Sequence, residues 1–445
     1  MRTFLVSASL QVSASLAVLA SLLAPSTSAQ EMVPPGAGER GGPGLAILAR
    51  KALTVPPEGP QFVDDAVLVV KDGRIQAIGP RAEIAIPAGY EVLDLKDRWI
   101  CPGFVDLHSH VAGTFDINDS VYLCNPGLRV SCSVIPANDR FKLAVAAGVT
   151  SVLFIPGSGV NMSGQGVLLK TGLERFEEAV IRNPGSLKIA QAGNPEGWTV
   201  GVGRSFMNFD LREVLKRGKA YAEQWKAYEA SKEAGNADAK PPEKNFDLEI
   251  FRSLLDKKAQ ISTHTQIYQV VLMTLTMLRK EFGFDVYIDH GEMAGYKLAG
   301  LAAELGVPVI SGPREIEVPT RGFINFTGSN PEAILGIAAE YQKRGAKMIG
   351  FNTDAPVIPE EELPIQATVS VHYGFEDQEL QSVRGLTIVP AITAGIQKRV
   401  GSLEVGKDAD VLVVTGDPID PRNTIERVFI DGRTVYDLHR ETRRW

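Results

Sequence analysis

Cysteine is scarce: the 445 residues contain three, Cys101, Cys124 and Cys132. Three thiols cannot form a disulfide framework. Cys124 and Cys132 could pair in an oxidising compartment and leave Cys101 buried on an apolar strand, or all three could stay reduced, and both readings stand. An excess of one charge is missing too. The formal net charge of -7, with 22% charged residues, gives no reason to expect nucleic acid or an anionic membrane as partner. Beyond the first 29 residues no stretch approaches the roughly 20 uninterrupted apolar residues of a spanning helix, so no membrane span is expected. Histidine is also rare, with six in the whole chain, and this makes its placement informative.

The first residues carry their own signal. Arg2 precedes an apolar stretch through Leu23, then small residues and Thr27-Ser28-Ala29 ahead of Gln30. A charged start, an apolar middle and a small-residue site read as a cleaved signal peptide, 1–29, so the mature protein is expected to be exported, periplasmic or secreted. About 415 residues would remain, enough for one large domain and a smaller one. Residues 30–44 are rich in Gly and Pro and read as a flexible lead.

Strand-like runs follow at Leu45–Ala49, Ala66–Val70 and Ile75–Ile78, with Asp72-Gly73 as a hairpin signal between the last two. The other end repeats the pattern: Val411–Val414, Val428–Ile430 and Thr434–Tyr436, with a turn at Asp431-Gly432. Both ends read as parts of one small β-domain, with the middle of the chain inserted between them. That middle alternates strand and helix. Strands are expected at 103–108, 150–155, 166–170, 187–191, 259–264, 285–290, 307–311 and 347–353, with helices such as Arg140–Ala147, Gln266–Phe282 and Ala294–Leu305. Eight strands separated by helices fit an α/β fold of the (β/α)8 TIM-barrel kind, with an open doubly wound sheet as the alternative. Residues 210–260 exceed one connection and read as an insertion over the barrel mouth, with a charged helix at Leu211–Glu233.

Within Cys101-Pro-Gly-Phe-Val-Asp-Leu-His-Ser-His110 the imidazoles of His108 and His110 lie two apart at the end of an apolar strand. Residues i and i+2 of a strand share a face, so the two rings converge, and neutral imidazole is a common ligand of divalent metals. The barrel reading places functional residues at the C-terminal ends of different strands. His264 ends the fifth strand, His290 the sixth, and Asp354 lies just past the eighth.

These residues, with Asn352-Thr-Asp354-Ala-Pro356 and Gly401-Ser-Leu-Glu-Val-Gly-Lys-Asp-Ala-Asp410, make the chain similar to the amidohydrolase superfamily, above all its imidazolonepropionase and Xaa-Pro dipeptidase branch. The resemblance covers nearly everything after the leader. It implies a metal-dependent hydrolase on a (β/α)8 barrel (101–400, insertion 210–260) with a composite β-sandwich formed by 45–100 and 401–445. It implies His108, His110, His264, His290 and Asp354 as metal ligands, and Lys188 as a carboxylated bridge between two ions. A lysine between Leu187 and Ile189 on a core strand needs explaining, because a buried ammonium is costly; a snorkelling lysine at the strand's start is the other reading. Zinc is expected from the N/O ligation, and manganese, cobalt or iron fit the same set.

The implied chemistry is attack by metal-activated hydroxide on a C–N bond of an amide, cyclic amide or dipeptide, with Asp354 carrying the proton to the leaving nitrogen. The alternatives are a one-metal deaminase or imidazolone-ring hydrolase with Lys188 unmodified, and a non-catalytic binding relative. A small-molecule substrate is expected, and a homo-oligomer is compatible with the sequence. Arg204, Arg314 and Tyr268, near expected strand ends or the insertion, could each bind a substrate carboxylate or be ordinary surface residues. Gly157-Ser-Gly159 and Gly164-Gln-Gly166 lack the Lys-Ser/Thr that a phosphate loop needs and read as an active-site loop. His372 is expected to be structural and His439 exposed. The resemblance implies lysine after Gly-x-Asn-Pro past the fourth strand, where this chain has Glu196, so the charge there is reversed.

Overall fold

Two Asp-Gly pairs turn the chain back on itself near its two ends. Asp72 and Gly73 take φ of 50° and 74°, and Asp431 and Gly432 take 50° and 70°. Left-handed values at both central positions match the right-handed twist of the flanking strands, so each pair closes a tight hairpin. The computed structural model describes residues 44–114, 117–191, 195–196, 203–328 and 330–440. The expected leader and nearly all of the expected lead lie outside the described residues.

The N-terminal strands are β1 (Leu45–Leu53), β2 (Phe62–Lys71), β3 (Arg74–Pro80), β4 (Glu91–Asp94) and β5 (Trp99–Pro102). The middle holds β6 (Phe104–Ser109), β7 (Val149–Phe154), β8 (Met162–Lys170), β9 (Val180–Ala190), β10 (Gln260–His264), β11 (Ile288–His290) and β12 (Val309–Ser311). The pair β13 (Ile316–Glu317) and β14 (Leu335–Gly336) and then β15 (Ile349–Phe351) complete it, and β16 (Val411–Val414), β17 (Ile425–Ile430) and β18 (Arg433–Asp437) close the chain.

Strands from both ends share one eight-stranded sheet in the order β18-β17-β16-β5-β1-β2-β3, with β4 also paired to β1. The junction is the antiparallel pairing of β5 with β16. Lys170 of β8 is fully buried against this sheet, 2.7 Å from Asp408, 2.9 Å from Asp410 and 2.7 Å from Asp431. Burial opposes its charge, but the three carboxylates outweigh that and hold its pKa above the usual lysine value. Asp408 and Asp410 belong to the Gly-Ser-Leu-Glu-Val-Gly-Lys-Asp-Ala-Asp run, so part of that run joins the terminal sheet to the middle of the chain.

All eight expected middle strands form. β6 to β10 make one sheet and β11, β12 and β15 another. Bridges Ile261↔Val286 and Thr265↔His290 join β10 to the β11 segment, and Ser109↔Ala355 joins β6 to the residues after β15, so the two sheets meet at both edges. β6 and β7 are buried at every position, as strands covered on both faces should be. Regular strand–helix alternation fails in one place. β8 runs antiparallel to both β7 and β9. The link 155–161 is shorter than the 10–12 or so residues that a parallel crossover needs, so β8 can only return in the opposite sense.

The charged helix begins at Arg204, ahead of the expected Leu211, and runs to Glu233. Its buried face, Met207, Leu211, Val214, Leu215, Gly218, Tyr221 and Ala222, follows the 3.6-residue period. Among the described residues no helix is long and apolar enough to cross a membrane. The three thiols are free: Cys132 is exposed and contacts the Arg129 carbonyl, so Cys124 and Cys132 form no bridge.

Candidate metal centre

β6 and the residue that follows it bring Asp106, His108 and His110 to one side, and all three are buried. Each first-strand ring is held at Nδ1. His108 Nδ1 meets Asp289 Oδ2 at 2.7 Å, and His110 Nδ1 meets the Ile155 carbonyl at 2.9 Å. His290, at the end of β11, meets the Gly312 carbonyl through Nδ1 at 2.8 Å. A carbonyl or carboxylate oxygen accepts, so Nδ1 of each ring carries a proton; the neutral rings of His110 and His290 keep the Nε2 lone pair, and His108 would expose its own when a cation displaces its second proton. Gly312 has φ of +130°, and a Cβ there would lie 2.2 Å from the Asn352 carbonyl, so only glycine presents that carbonyl to His290.

The Nε2 atoms converge on Asp354. Its Oδ1 lies 3.1 Å from His108 Nε2 and 3.2 Å from His110 Nε2, and its Oδ2 lies 3.9 Å from His290 Nε2. His264, the last residue of β10, approaches His290 Nε2 through Nδ1 at 3.0 Å. Lys188 Nζ on β9 stands 3.0 Å from His108 Nε2. All six expected site residues are thus gathered, and Lys188 is fully buried in the cluster rather than snorkelling. Ligand atoms of His108, His264, His290 and Asp354 lie within 4.8 Å of one another. The Nε2 lone pairs of His110 and His290 face an anionic carboxylate, which repels them unless a cation lies between, and the buried His264 Nε2 has no hydrogen-bond partner. Imidazole and carboxylate donors of this kind fit a divalent metal of the zinc, manganese, cobalt or iron type.

Electrostatics separate these groups. Burial lowers His264 to about 3 and takes His290 well below the usual histidine value, so both rings are neutral. Burial works against His108 as well, but Asp289 and Asp354 outweigh it and push it up to about 9. Burial pulls Lys188 down to about 8 against the two aspartates. Burial favours neutral Asp354, yet His108, His110 and His290 hold it well below the usual carboxylate value. Strained backbone gathers here: Ile267, His290, Met293, Ala294 and Asp354 have φ of 66°, 71°, 52°, 66° and 48°. L-residues hold such values only where their surroundings impose them.

Asp289 is the site residue that the sequence did not reveal. Its Oδ1 accepts from Asn352 Nδ2 at 3.1 Å, and its backbone N–H donates to Thr265 Oγ1 at 3.0 Å. An acid directly before His290 in an apolar strand was its one signal. Glu292 was also unforeseen. It is buried, and its carboxylate accepts from Arg314 Nη1 at 2.9 Å on both oxygens and from Gln266 Nε2 at 3.0 Å. Burial, with a smaller push from Asp354, raises its pKa to about 7 against those two donors.

Arg204 lies at the start of the long helix and pairs with Glu196 at 2.8 Å, so the reversed charge after the fourth strand is met within the chain. Tyr268 opens the helix Tyr268–Met273 just past His264 and is half-buried. Residues 155–166, with both glycine pairs, are buried, and Gly157 N–H donates to the Ile117 carbonyl at 3.1 Å, so this is a packed segment and not an open loop. A Cβ on Gly157 would lie 2.2 Å from Asn118 Oδ1, which is the close approach its glycine serves. His372 ends the helix Leu363–His372 and is exposed, as is His439.

Residues 334–435 match the Amidohydrolase family. An imidazolonepropionase from Brucella anthropi is 49% identical over 383 residues, covering 80% of this chain and 88% of that protein. The amidohydrolase tasK of Hapsidospora irregularis is 23% identical over 384 residues, 79% of this chain, and the match spans 38% of that longer protein. Among solved structures, an amidohydrolase from Thermotoga maritima superposes with a TM-score of 0.74 at 27% identity, covering 88% of this chain and all of that one. This likeness places the middle of the chain in a TIM-barrel-type fold of mixed α/β content.

Proposed function

The chain belongs to the amidohydrolase superfamily and is a hydrolase of carbon–nitrogen bonds, and on that premise we propose that it is an exported, metal-dependent amidohydrolase acting on a small amide, cyclic amide or dipeptide. The observation that carries the metal part is the convergence of the His108, His110 and His290 Nε2 atoms on Asp354, each ring held from behind at Nδ1. His108, His110, His264, His290 and Asp354 would hold the metal. When bound, a divalent ion polarises the scissile carbonyl and lowers the pKa of water toward about 7. The protein's own residues do the rest. Asp354, kept anionic by its histidine neighbours, takes the proton of the attacking water on a carboxylate oxygen and passes it to the leaving nitrogen. His108 and His110 keep that carboxylate in place between them.

In the same proposal, Lys188 accepts carbon dioxide at its amine, releasing a proton, and becomes a carbamate able to hold two ions. Its pKa of about 8 supports this, because about a tenth of the amine is neutral and nucleophilic at pH 7, far more than for a lysine at its ordinary value. The closed eight-stranded barrel over 101–400 and the sandwich built from 45–100 and 401–445 belong to this reading too, as does cleavage of 1–29, which N-terminal sequencing of exported protein would test.

The test is an ion count on the purified protein beside a screen of dipeptides, N-acyl amino acids and cyclic amides. Hydrolysis that is lost with chelator and restored by zinc is expected. Protein that binds no metal ion sinks the proposal. Near two ions per chain, falling in Lys188→Ala, is expected for the bridged centre. Near one ion with Lys188→Ala active selects the one-metal deaminase or ring hydrolase, which the uncarboxylated contact of Lys188 with His108 also accommodates.

A further inference from the structure

A guanidinium taken out of water ordinarily has a carboxylate beside it, because an unpaired buried charge is costly. Arg252, Arg279 and Arg399 each have one, at 3.1 Å from Glu249, 2.8 Å from Asp285 and 2.7 Å from Asp408. Arg182 on β9 does not. Its Nη2 donates to the Gly185 carbonyl at 2.7 Å and to Gln260 Oε1, two uncharged acceptors. Among the described residues no carboxylate pairs with it. Burial alone pulls its pKa down to about 10, so at neutral pH it is still a cation.

Donors are left over around that charge. Arg182 Nε is sealed from solvent without a hydrogen-bond partner, and so is Nε2 of the adjoining Gln260. The nearby helix Ile388–Thr393 offers no relief, because N–H groups take its last carbonyls: Ala394 that of Pro390, Ile396 that of Ala391 and Gly395 that of Ile392. Gly395 is exposed, and a Cβ on it would lie 3.4 Å from Arg182 Nη1, so the guanidinium sits just behind a solvent-facing residue. The place is remote from the ligand cluster. β9 and β10 run parallel, Arg182 comes six residues before Lys188, and Gln260 begins the strand that His264 ends. At about 3.3 Å per residue that is about 13 to 20 Å along the strands.

The donors also select the ligand. Both hydrogens of Nη2 are spent, and Nη2 belongs to each of the two edges on which a carboxylate or phosphate lays a pair of oxygens. A single-atom anion needs no such edge. It can rest against Nε–H, and the Gln260 carboxamide, held to the same guanidinium through Oε1, supplies a further N–H.

We propose that Arg182 and Gln260 form a halide site at the starts of β9 and β10, filled by chloride from solution, which supplies the counter-charge that the chain itself does not. The site stands apart from the hydrolase reading.

Chloride dependence of stability tests it. The purified full chain is unfolded in urea while chloride rises from zero to about 100 mM, with ionic strength held by sodium gluconate. An anion bound only by the folded state shifts the balance with its occupancy, so the unfolding equilibrium constant should fall at least about tenfold. Sulfate at equal ionic strength should change it less than about twofold. Gln260→Glu sets a carboxylate beside the guanidinium. It should be as stable without chloride as the wild type is with it, and should lose the response. Arg182→Met should lose the response as well. Should neither variant fold, wild-type crystals soaked in bromide decide, with an anomalous peak expected at hydrogen-bond distance from Arg182 Nε. No chloride response in the wild type, an equal response to sulfate, or an undiminished response in either variant overturns the assignment. So do bromide peaks found only elsewhere on the surface, as adventitious ions.

Discussion

His108 coordinates nothing well unless its ring is fixed, and the fixing residue is Asp289 at 2.7 Å. Partners that orient a metal-ligating histidine typically contribute about 10- to 100-fold in metal affinity. Asp289→Ala should therefore weaken metal retention by about that factor, and Asp289→Asn, which keeps an acceptor, by less; ion counts after dialysis against graded chelator would show it. Unchanged retention in Asp289→Ala would remove the orienting role. A second buried acid reports on pH. Glu315 accepts from Ser311 Oγ at 3.0 Å and Ser370 Oγ at 2.8 Å, and burial raises its pKa from an ordinary 4.5 to about 8. The folded state thus keeps a proton that the unfolded chain gives up between those values, so stability is greatest at the acid side of this window and falls as pH rises through 8, by at most about 1.4 kcal/mol per unit. Glu315→Gln keeps an acceptor for both serines and should flatten the slope in urea midpoints taken at pH 5, 6.5 and 8. Parallel slopes for the two proteins would contradict it. The clustered histidines were legible because histidine is rare and the i, i+2 pair has one geometric meaning on a strand. Asp289, Glu292 and Glu315 were not, because a lone acid carries no sign of the partner it will meet across the fold.

Elements were legible where local chemistry decides them. Both Asp-Gly hairpins stand where the turn residues put them, and so do all eight middle strands. Strand direction was not. The apolar run that becomes β8 looks the same in either sense, and only the length of the link before it settles the antiparallel pairing. The start of the long helix was misplaced for a related reason: Phe206 and Phe209 are exposed apolar residues that blur the period Met207 and Leu211 keep. Further along, two effects compete at Gly218. Alanine in a helix interior is ordinarily favoured over glycine by about 1 kcal/mol. Here a Cβ would lie 2.3 Å from the Phe251 ring on the neighbouring helix Ile250–Leu255. Overpacking costs about 1–3 kcal/mol, so Gly218→Ala should destabilise, and Gly218→Ala/Phe251→Leu should recover part of the loss in chemical denaturation. A stabilised Gly218→Ala would mean that the two helices separate freely.

For the whole molecule, the decisive contact is Lys170 among Asp408, Asp410 and Asp431. Removing one member of a buried ion group leaves charge without compensation and costs about 3–5 kcal/mol. Lys170→Met should lose stability on that scale in equilibrium denaturation, and limited proteolysis should then cut the terminal strands first; wild-type resistance in both would contradict the latch. The sequence marked Gly401–Asp410 as a family signature but could not show this work, because Lys170 lies 240 residues before Asp410. The same sheet has a consequence in time. During synthesis, every proposed ligand through Asp354 is in the chain before β16 begins at Val411, so the full set of proposed metal-holding side chains exists while β5 still lacks its β16 partner. Until then the open edge of β5 is a template on which another nascent chain can pair. The last strands therefore act as a stopper made after the working parts, and a chain broken off before them would be prone to aggregate with its chemistry already encoded.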